Sequence, residues 1–437
     1  MAATASMNGA SGNGARTTSE LLRFATAGSV DDGKSTLIGR LLHDAKSILA
    51  DQLAQVKETS LRRGDGELNL ALLTDGLRAE REQGITIDVA YRSFQTDKRR
   101  FIIADCPGHE QYTRNMVTGT STADLALVLV DARNGLVRQS RRHAAISALL
   151  RVPHLVVCIN KMDLVGYDEA VFTRIVEDFR RWSAGHEGFR EVTFIPISAL
   201  KGDNVVEPSA HMPWYEGPTL LHHLETVEIA ADRNLDEWRF PVQWVVRPQH
   251  DERYHDYRGY AGQVAGGVLR PGEEVVVLPS NRTTRLAAID TLDGRLEHAF
   301  PPQSVTLLLE DDLDVSRGDM IARPSDAPTV ARELEAVVCW MADRPLAPRG
   351  RYLLKHTTRT LRAIVDGIDW RLDVETLGRE PSPERLDLNE IGHVKLRLSG
   401  PLAFDPFERN RTTGSFILID EATNDTVGGG LIVAPEG

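Results

Sequence analysis

Cysteine is nearly missing from this chain, with three residues in 437. Cys106, Cys158 and Cys339 lie far apart, match no metal-ligand spacing, and two of them fall inside strand-like runs. A disulfide framework and a cysteine-built metal centre are therefore not expected, which suits a reducing cytoplasm. Positive charge is also in deficit, the formal net charge being -12. Bulk electrostatics cannot hold a nucleic acid under that balance, although a local basic face could coexist with it, so nucleic acid is not an expected partner. No apolar run is long enough to span a bilayer, and no membrane association is expected. Residues 1–18 are rich in Ala, Ser, Gly and Thr and lack the basic-then-apolar plan of a secretory signal, so they read as a disordered tail. Beyond that tail there is no internal repeat, coiled coil or low-complexity tract.

What is present is enough apolar material, 41% of residues, for full cores in several domains. Residues 19–235 alternate near-continuous apolar runs with amphipathic stretches. The runs are Phe24–Ala27, Phe101–Ala104, Leu125–Val130, Leu155–Ile159 and Thr193–Pro196; the helical patterns include Ser140–Leu150 and Asp168–Trp182. Runs of this kind suit a mostly parallel sheet buried on both faces, that is, a doubly wound α/β domain with ligands at the carboxyl ends of its strands. From Phe240 the pattern changes to short β-type runs separated by Gly and Pro turn signals. Residues 236–330 then read as one all-β barrel and residues 331–437 as a second, with a break at Arg323-Pro324-Ser325-Asp326-Ala327-Pro328 between them.

Between the first run and the first helical pattern stands Gly28-Ser29-Val30-Asp31-Asp32-Gly33-Lys34-Ser35-Thr36, a G-x-x-x-x-G-K-S phosphate loop in the strand-to-helix context that motif needs. Its N–H groups would wrap a polyphosphate, Lys34 would reach the outer phosphates, and Ser35 would hold Mg²⁺. Asp105-Cys106-Pro107-Gly108 follows the second run. Asp105 would hold the Mg²⁺ through a water and the Gly108 N–H would meet the γ-phosphate. His109, directly after it, would orient the attacking water, the alternative for a lone histidine being a surface or capping role. In Gly84-Ile85-Thr86-Ile87, the Thr86 hydroxyl would be a further Mg²⁺ ligand.

Asn160-Lys161-Met162-Asp163 follows the fourth run. A carboxylate there accepts from both the N1–H and N2–H₂ of guanine, a donor pair adenine lacks, so Asp163 selects GTP over ATP. Asn160 would tie this loop to the phosphate loop and the Lys161 stem would cover the base. Ser198-Ala199-Leu200 follows the fifth run, with the Ala199 N–H expected at guanine O6. The ordered set on successive strand ends points to Mg²⁺-dependent GTP hydrolysis by positioning and charge neutralisation. Two polar clusters remain less specific. Arg138-Gln139-Ser140-Arg141-Arg142-His143 is either a solvated helix start or a partner contact. His250-Asp251-Glu252-Arg253-Tyr254-His255-Asp256 carries metal-capable groups but reads as a polar turn.

A GTPase domain followed by two barrels resembles the elongation-factor-like translational GTPase superfamily, as do Asp105 to His109 and Asn160 to Asp163. Translation factors usually carry histidines where this phosphate loop has Ser29 and Asp32. That variant resembles the large, GTP-hydrolysing subunit of bacterial sulfate adenylyltransferase. So do Glu110-Gln111-Tyr112-Thr113-Arg114-Asn115-Met116, the segment from Met212 to Leu221, the run Phe240-Pro241-Val242-Gln243, the run Arg258-Gly259-Tyr260-Ala261-Gly262, and the stretch from Asn410 to Asp420. The resemblance implies a partner small subunit that transfers AMP from ATP to sulfate, with GTP hydrolysis here driving that step, in a cytoplasmic heterodimer. The alternative is a translation factor delivering aminoacyl-tRNA. Cys106 stands where the sulfate-activating family favours Thr. No second phosphate loop follows the second barrel, so the chain reads as the subunit unfused to a kinase.

Overall fold

The computed structural model describes residues 21–46, 56, 60, 70, 88–109, 112–184, 188, 191–229, 234–248 and 257–434. The expected tail, Thr86 and the cluster from His250 to Asp256 lie outside them. The amino-terminal part is one six-stranded sheet. In chain order it runs β1 (Leu21–Ala27), α1 (Lys34–Asp44), β2 (Ala90–Gln95), β3 (Arg100–Asp105), α2 (Thr113–Ser121), β4 (Leu125–Asp131), α3 (Arg138–Leu149), β5 (His154–Asn160), α4 (Glu169–Ser183), β6 (Val192–Pro196) and α5 (Leu220–Thr226). The strand order is β2-β3-β1-β4-β5-β6. All neighbours are parallel except β2 and β3, which pair antiparallel, and β2 stands at one edge of the sheet.

The apolar runs follow from two-sided burial. In β4, Leu125, Leu127 and Leu129 enter one core with Phe24, Leu37 and Ile38, while Ala126, Val128 and Val130 enter the other with Ile146, Ile159 and Phe179. With side chains alternating faces, a strand between two helical layers must be apolar throughout. α4 begins where Asp168 accepts the Ala170 N–H at 2.8 Å, a side-chain cap on an otherwise open helix end.

Two seven-stranded antiparallel sheets follow. The first comprises β7 (Arg239–Val246), β8 (Gly259–Gln263), β9 (Glu274–Leu278), β10 (Arg282–Thr291), β11 (Gly294–Leu296), β12 (Ser304–Leu309) and β13 (Met320–Ala322). β9 pairs with both β13 and β10, closing it around Trp238, Phe240 and Tyr260. The second comprises β14 (Thr329–Trp340), β15 (Arg351–His356), β16 (Arg359–Leu372), β17 (Arg379–Pro381), β18 (Ile391–Phe404), β19 (Ser415–Ile419) and β20 (Thr426–Ile432). β15 pairs with both β16 and β19, closing it around Trp340, Leu354 and Phe416. The sequence-based boundary between residues 330 and 331 falls inside β14, which starts at Thr329. Among the described residues, no helix is long and apolar enough to cross a membrane.

The stretch from Asn410 to Ser415 is the junction of all three parts. Asn410 donates to the Ala265 carbonyl of the first barrel at 3.0 Å. Arg411 donates to Ser121 and Ala123 carbonyls of the α/β domain at 3.2 and 3.4 Å. Thr413 donates to Asp405 at 2.5 Å.

Candidate functional site

β1 ends at Ala27 and α1 begins at Lys34, so residues Gly28 to Gly33 form the connecting loop at the carboxyl edge of the sheet, with Ser35 and Thr36 in the first turn of the helix. The loop closes on itself through Asp32, which accepts the Ser29 N–H at 2.6 Å. Burial pushes the Asp32 carboxyl up to about 6, against the lowering effect of that hydrogen bond and of Lys34. Asp31 turns the chain in the left-handed region, with φ 68°, while Val30 is exposed. Gly33 has φ 93°, and a β-carbon there would lie 2.5 Å from Asn160 Nδ2; only glycine satisfies both constraints. α1 has no side-chain cap and no acidic residue in its first turn.

Lys34 is 8% exposed and donates to the Gly28 and Ser29 carbonyls at 2.8 and 3.1 Å. Burial lowers its pKa, while Asp105 and Asp32 oppose that. A buried ammonium folded onto loop carbonyls fits a polyphosphate cradle, since a bound anion replaces weak acceptors with a full counter-charge. Asp105, at the end of β3, accepts from Thr26 Oγ1 at 3.2 Å. Cys106 is wholly buried, its thiol pushed up to about 12 by desolvation, and it packs against α2. Gly108 lies directly over the loop, where a β-carbon would be 2.4 Å from Lys34 Nζ and 2.5 Å from the Gly28 oxygen. His109 is half-buried, its ring centroid 6.0 Å from that of Tyr112.

The base-side residues come from the ends of β5 and β6. Asn160 donates to the Asp32 carbonyl at 2.7 Å and accepts the Ala199 N–H at 2.9 Å. Lys161 donates to the Asp31 carbonyl and pairs with Asp131 at 2.9 Å. Burial alone would push Asp131 up, but hydrogen bonds from Arg133 and Lys161 outweigh it and hold the carboxyl at about 2. Asp163 accepts from Ser198 Oγ at 2.7 Å, and Ser198 Oγ accepts the Lys201 N–H at 3.2 Å. Leu200 is exposed. The Ala199 N–H, expected at guanine O6, is given to Asn160 Oδ1, so contact with O6 requires that N–H to be shared.

Several contributing residues carry no motif. Arg40 of α1 donates to the Ala199 carbonyl at 3.2 Å and to the Leu200 carbonyl, fastening the base-side loop to the helix that follows the phosphate loop. Trp214 donates to the Tyr167 carbonyl at 3.0 Å and Tyr215 to the Phe194 carbonyl of β6 at 3.3 Å, so the segment from Met212 to Leu221 is tied both to the turn after Asp163 and to the strand that leads to Ser198. The cluster from Arg138 to His143 is neither a freely solvated helix start nor left to an outside partner alone. Arg138 pairs with Glu375 at 3.0 Å and Arg142 donates to the Asn389 carbonyl at 3.1 Å, both in the second barrel. Elsewhere, Glu335, Asp369 and His393 could surround a cation, but Lys395 Nζ lies 3.1 Å from Asp369 and supplies the positive charge.

Residues 19–234 match the family model described as Elongation factor Tu GTP binding domain, and residues 333–433 the one described as GTP-eEF1A C-terminal domain-like. The chain is 59% identical to a bifunctional enzyme CysN/CysC of Mycobacterium tuberculosis, over 94% of this chain and 67% of that protein. It is 51% identical to the bifunctional enzyme CysN/CysC of Rhodopirellula baltica, spanning 64% of that protein's length. Against a protein named sulfate adenylyltransferase subunit 1 from Alteromonas mediterranea, identity is 52% over 95% of this chain and 87% of the relative. With a GTP-binding domain of the elongation factor Tu type and that degree of identity across nearly its whole length, the chain belongs to the sulfate adenylyltransferase subunit 1 family.

Proposed function

We propose that this chain hydrolyses GTP to drive the formation of adenosine 5′-phosphosulfate and pyrophosphate from ATP and sulfate on a partner small subunit, in the cytoplasm. The observation that carries the nucleotide half of the reading is the direct tie between the two loops. Asn160 bonds the Asp32 carbonyl of the phosphate loop and the Ala199 N–H of the base-side loop, so one side chain sets the spacing between phosphate and guanine subsites. The coupling half rests on family membership.

Lys34 exchanges its carbonyl partners for the outer phosphates, and the N–H groups of Gly28 to Thr36 surround them. Asp163 accepts the guanine N1–H and N2–H₂, with Ser198 Oγ holding the carboxylate in place. Ser35, Thr86 and, through a water, Asp105 would hold Mg²⁺, which when bound neutralises charge on the phosphate oxygens. The Gly108 N–H meets the γ-phosphate and His109 orients the attacking water. Loss of the γ-phosphate removes the partner of Gly108 and frees the segment after it to move, which is the signal a partner subunit can read. No adenylylation site is assigned to this chain.

The test is GTP turnover in defined mixtures. Adding the small subunit with ATP and sulfate should raise it well above the rate of this chain alone. Stimulation by ribosomes and not by that mixture would replace the reading with a translation factor. No response to either would leave a GTP-dependent scaffold.

A further inference from the structure

The hydrogen bonds around Gly108 include one from a residue outside every nucleotide motif. We propose that Gln139 is a positioning residue for GTP hydrolysis, its side-chain amide fixing the Gly108–His109 peptide so that the His109 ring is aimed at the attacking water. This rests on the roles given to Gly108 and His109 above and adds the element that holds them.

Gln139 Nε2 lies 3.0 Å from the Gly108 oxygen and 3.0 Å from His143 Nε2. A primary amide nitrogen carries two N–H donors and accepts nothing, so the Gly108 carbonyl and the facing Nε2 of the neutral His143 ring both act as acceptors. Both donors are therefore committed, which fixes the amide's orientation. The proton of the His143 ring then resides on Nδ1, a buried atom without a hydrogen-bond partner among the described residues. On the opposite side, Gly108 is pressed against Lys34 Nζ and the Gly28 oxygen too closely for any side chain. The peptide is thus held between the phosphate-loop floor and Gln139. Its carbonyl is gripped by Gln139 and its N–H belongs to His109, so rotation of this one peptide plane redirects the His109 side chain. α3 is itself anchored to the second barrel by Arg138 and Arg142. The position of Gln139 accordingly follows the docking of that barrel.

A clamp on this peptide acts on the chemical step and leaves ground-state binding alone. In the full chain, Gln139→Met keeps the side-chain length and removes both donors. It should slow single-turnover GTP hydrolysis by about tenfold to a hundredfold while the GTP Kd stays within about twofold; that unchanged affinity also shows that the variant is folded. Because Gln139 acts through His109, adding Gln139→Met to His109→Ala should slow hydrolysis no further than His109→Ala alone. A wild-type hydrolysis rate in Gln139→Met, or multiplicative losses in the double variant, overturns the proposal while leaving the nucleotide site standing. A wild-type rate in His109→Ala overturns the catalytic reading of His109, and the proposal with it.

Discussion

Under the proposed function Asp163 decides which nucleotide the site takes, and one atom change tests it. The carboxylate is held by Ser198 Oγ at 2.7 Å, leaving acceptor capacity for two donors on the base. Asp163→Asn turns one acceptor into a donor, which faces the guanine amino group and is mismatched. Xanthine has an acceptor at that position and is matched. GTP affinity should fall at least about tenfold and xanthosine triphosphate affinity should rise; an unchanged GTP titration sinks the guanine assignment. His143 gives a second test, by pH. Burial, with Lys34 and Arg142 adding to it, lowers its pKa from 6.5 to about 3. Above 6.5 the ring is neutral in both folded and unfolded chains, and its contribution to stability is fully present. As pH falls below 6.5 the unfolded chain takes up a proton that the folded one refuses, and that contribution is lost progressively down to about 3. Asp32 acts in the opposite sense, its raised pKa giving stability at low pH that is lost as pH rises through about 6. Comparison with His143→Gln cancels the Asp32 effect. Between about pH 7 and about pH 4.5, wild type should lose roughly 2 to 3 kcal/mol more than the variant in urea unfolding. Parallel losses would show that His143 is not buried neutral.

At the scale of elements, the site is built where β1, β3, β5 and β6 end, and α1 ties its two halves. Arg40 reaches from α1 to the Ala199 and Leu200 carbonyls, 159 and 160 residues away. Arg40→Ala should weaken GTP about tenfold and narrow the preference for GTP over ATP, because the base-side loop loses its tether while the phosphate loop keeps its own hydrogen bonds. Equal GTP and ATP affinities in variant and wild type would show the tether to be idle. The contrast with Asp163 explains what the sequence could reveal. The phosphate loop, Asp105 to His109 and Asn160 to Asp163 are contiguous segments at strand ends, so their chemistry is printed in local order. Arg40 and Gln139 are single polar side chains on amphipathic helices, where they look like solvated residues, and their partners are set by tertiary packing. Strands show the same divide. β4 announces itself because both its faces are buried, whereas β2 has one deeply buried residue, Phe94, stacked on Phe101 at 4.5 Å. β20 carries Gly428, Gly429 and Gly430 where a strand pattern needs side chains, and Gly430 is required because a β-carbon would strike the Phe416 ring at 2.1 Å.

Across the whole molecule, the two barrels are joined by a buried ion pair. Arg239, at the start of the first barrel, is 0% exposed, and Asp405, beyond the last residue of β18, is 1% exposed. Two parallel hydrogen bonds of 2.8 Å link guanidinium and carboxylate, and Thr413 Oγ1 and the Trp238 carbonyl satisfy further valences. Such a pair contributes little net stability compared with apolar residues of the same volume, because desolvating both ions offsets their attraction, but losing one member strands the other. Asp405→Ala should therefore cost about 3 to 5 kcal/mol, at the lower end because Asp326 stands 3.6 Å from Arg239 as a substitute partner. Arg239→Met with Asp405→Leu should recover most of that loss, since neither ion remains. The relevant readout is the unfolding of the two barrels followed by denaturant, with GTP hydrolysis as the companion measurement. The second barrel holds α3, which carries Gln139, through Arg138 and Arg142, so Asp405→Ala should slow hydrolysis and the double variant should restore it. Loss of stability without recovery in the double variant would mean that the pair specifies how the barrels fit together and that apolar packing cannot replace it. An unchanged unfolding midpoint in Asp405→Ala would mean that the barrels are held by their other contacts, among them Asn410 on the Ala265 carbonyl.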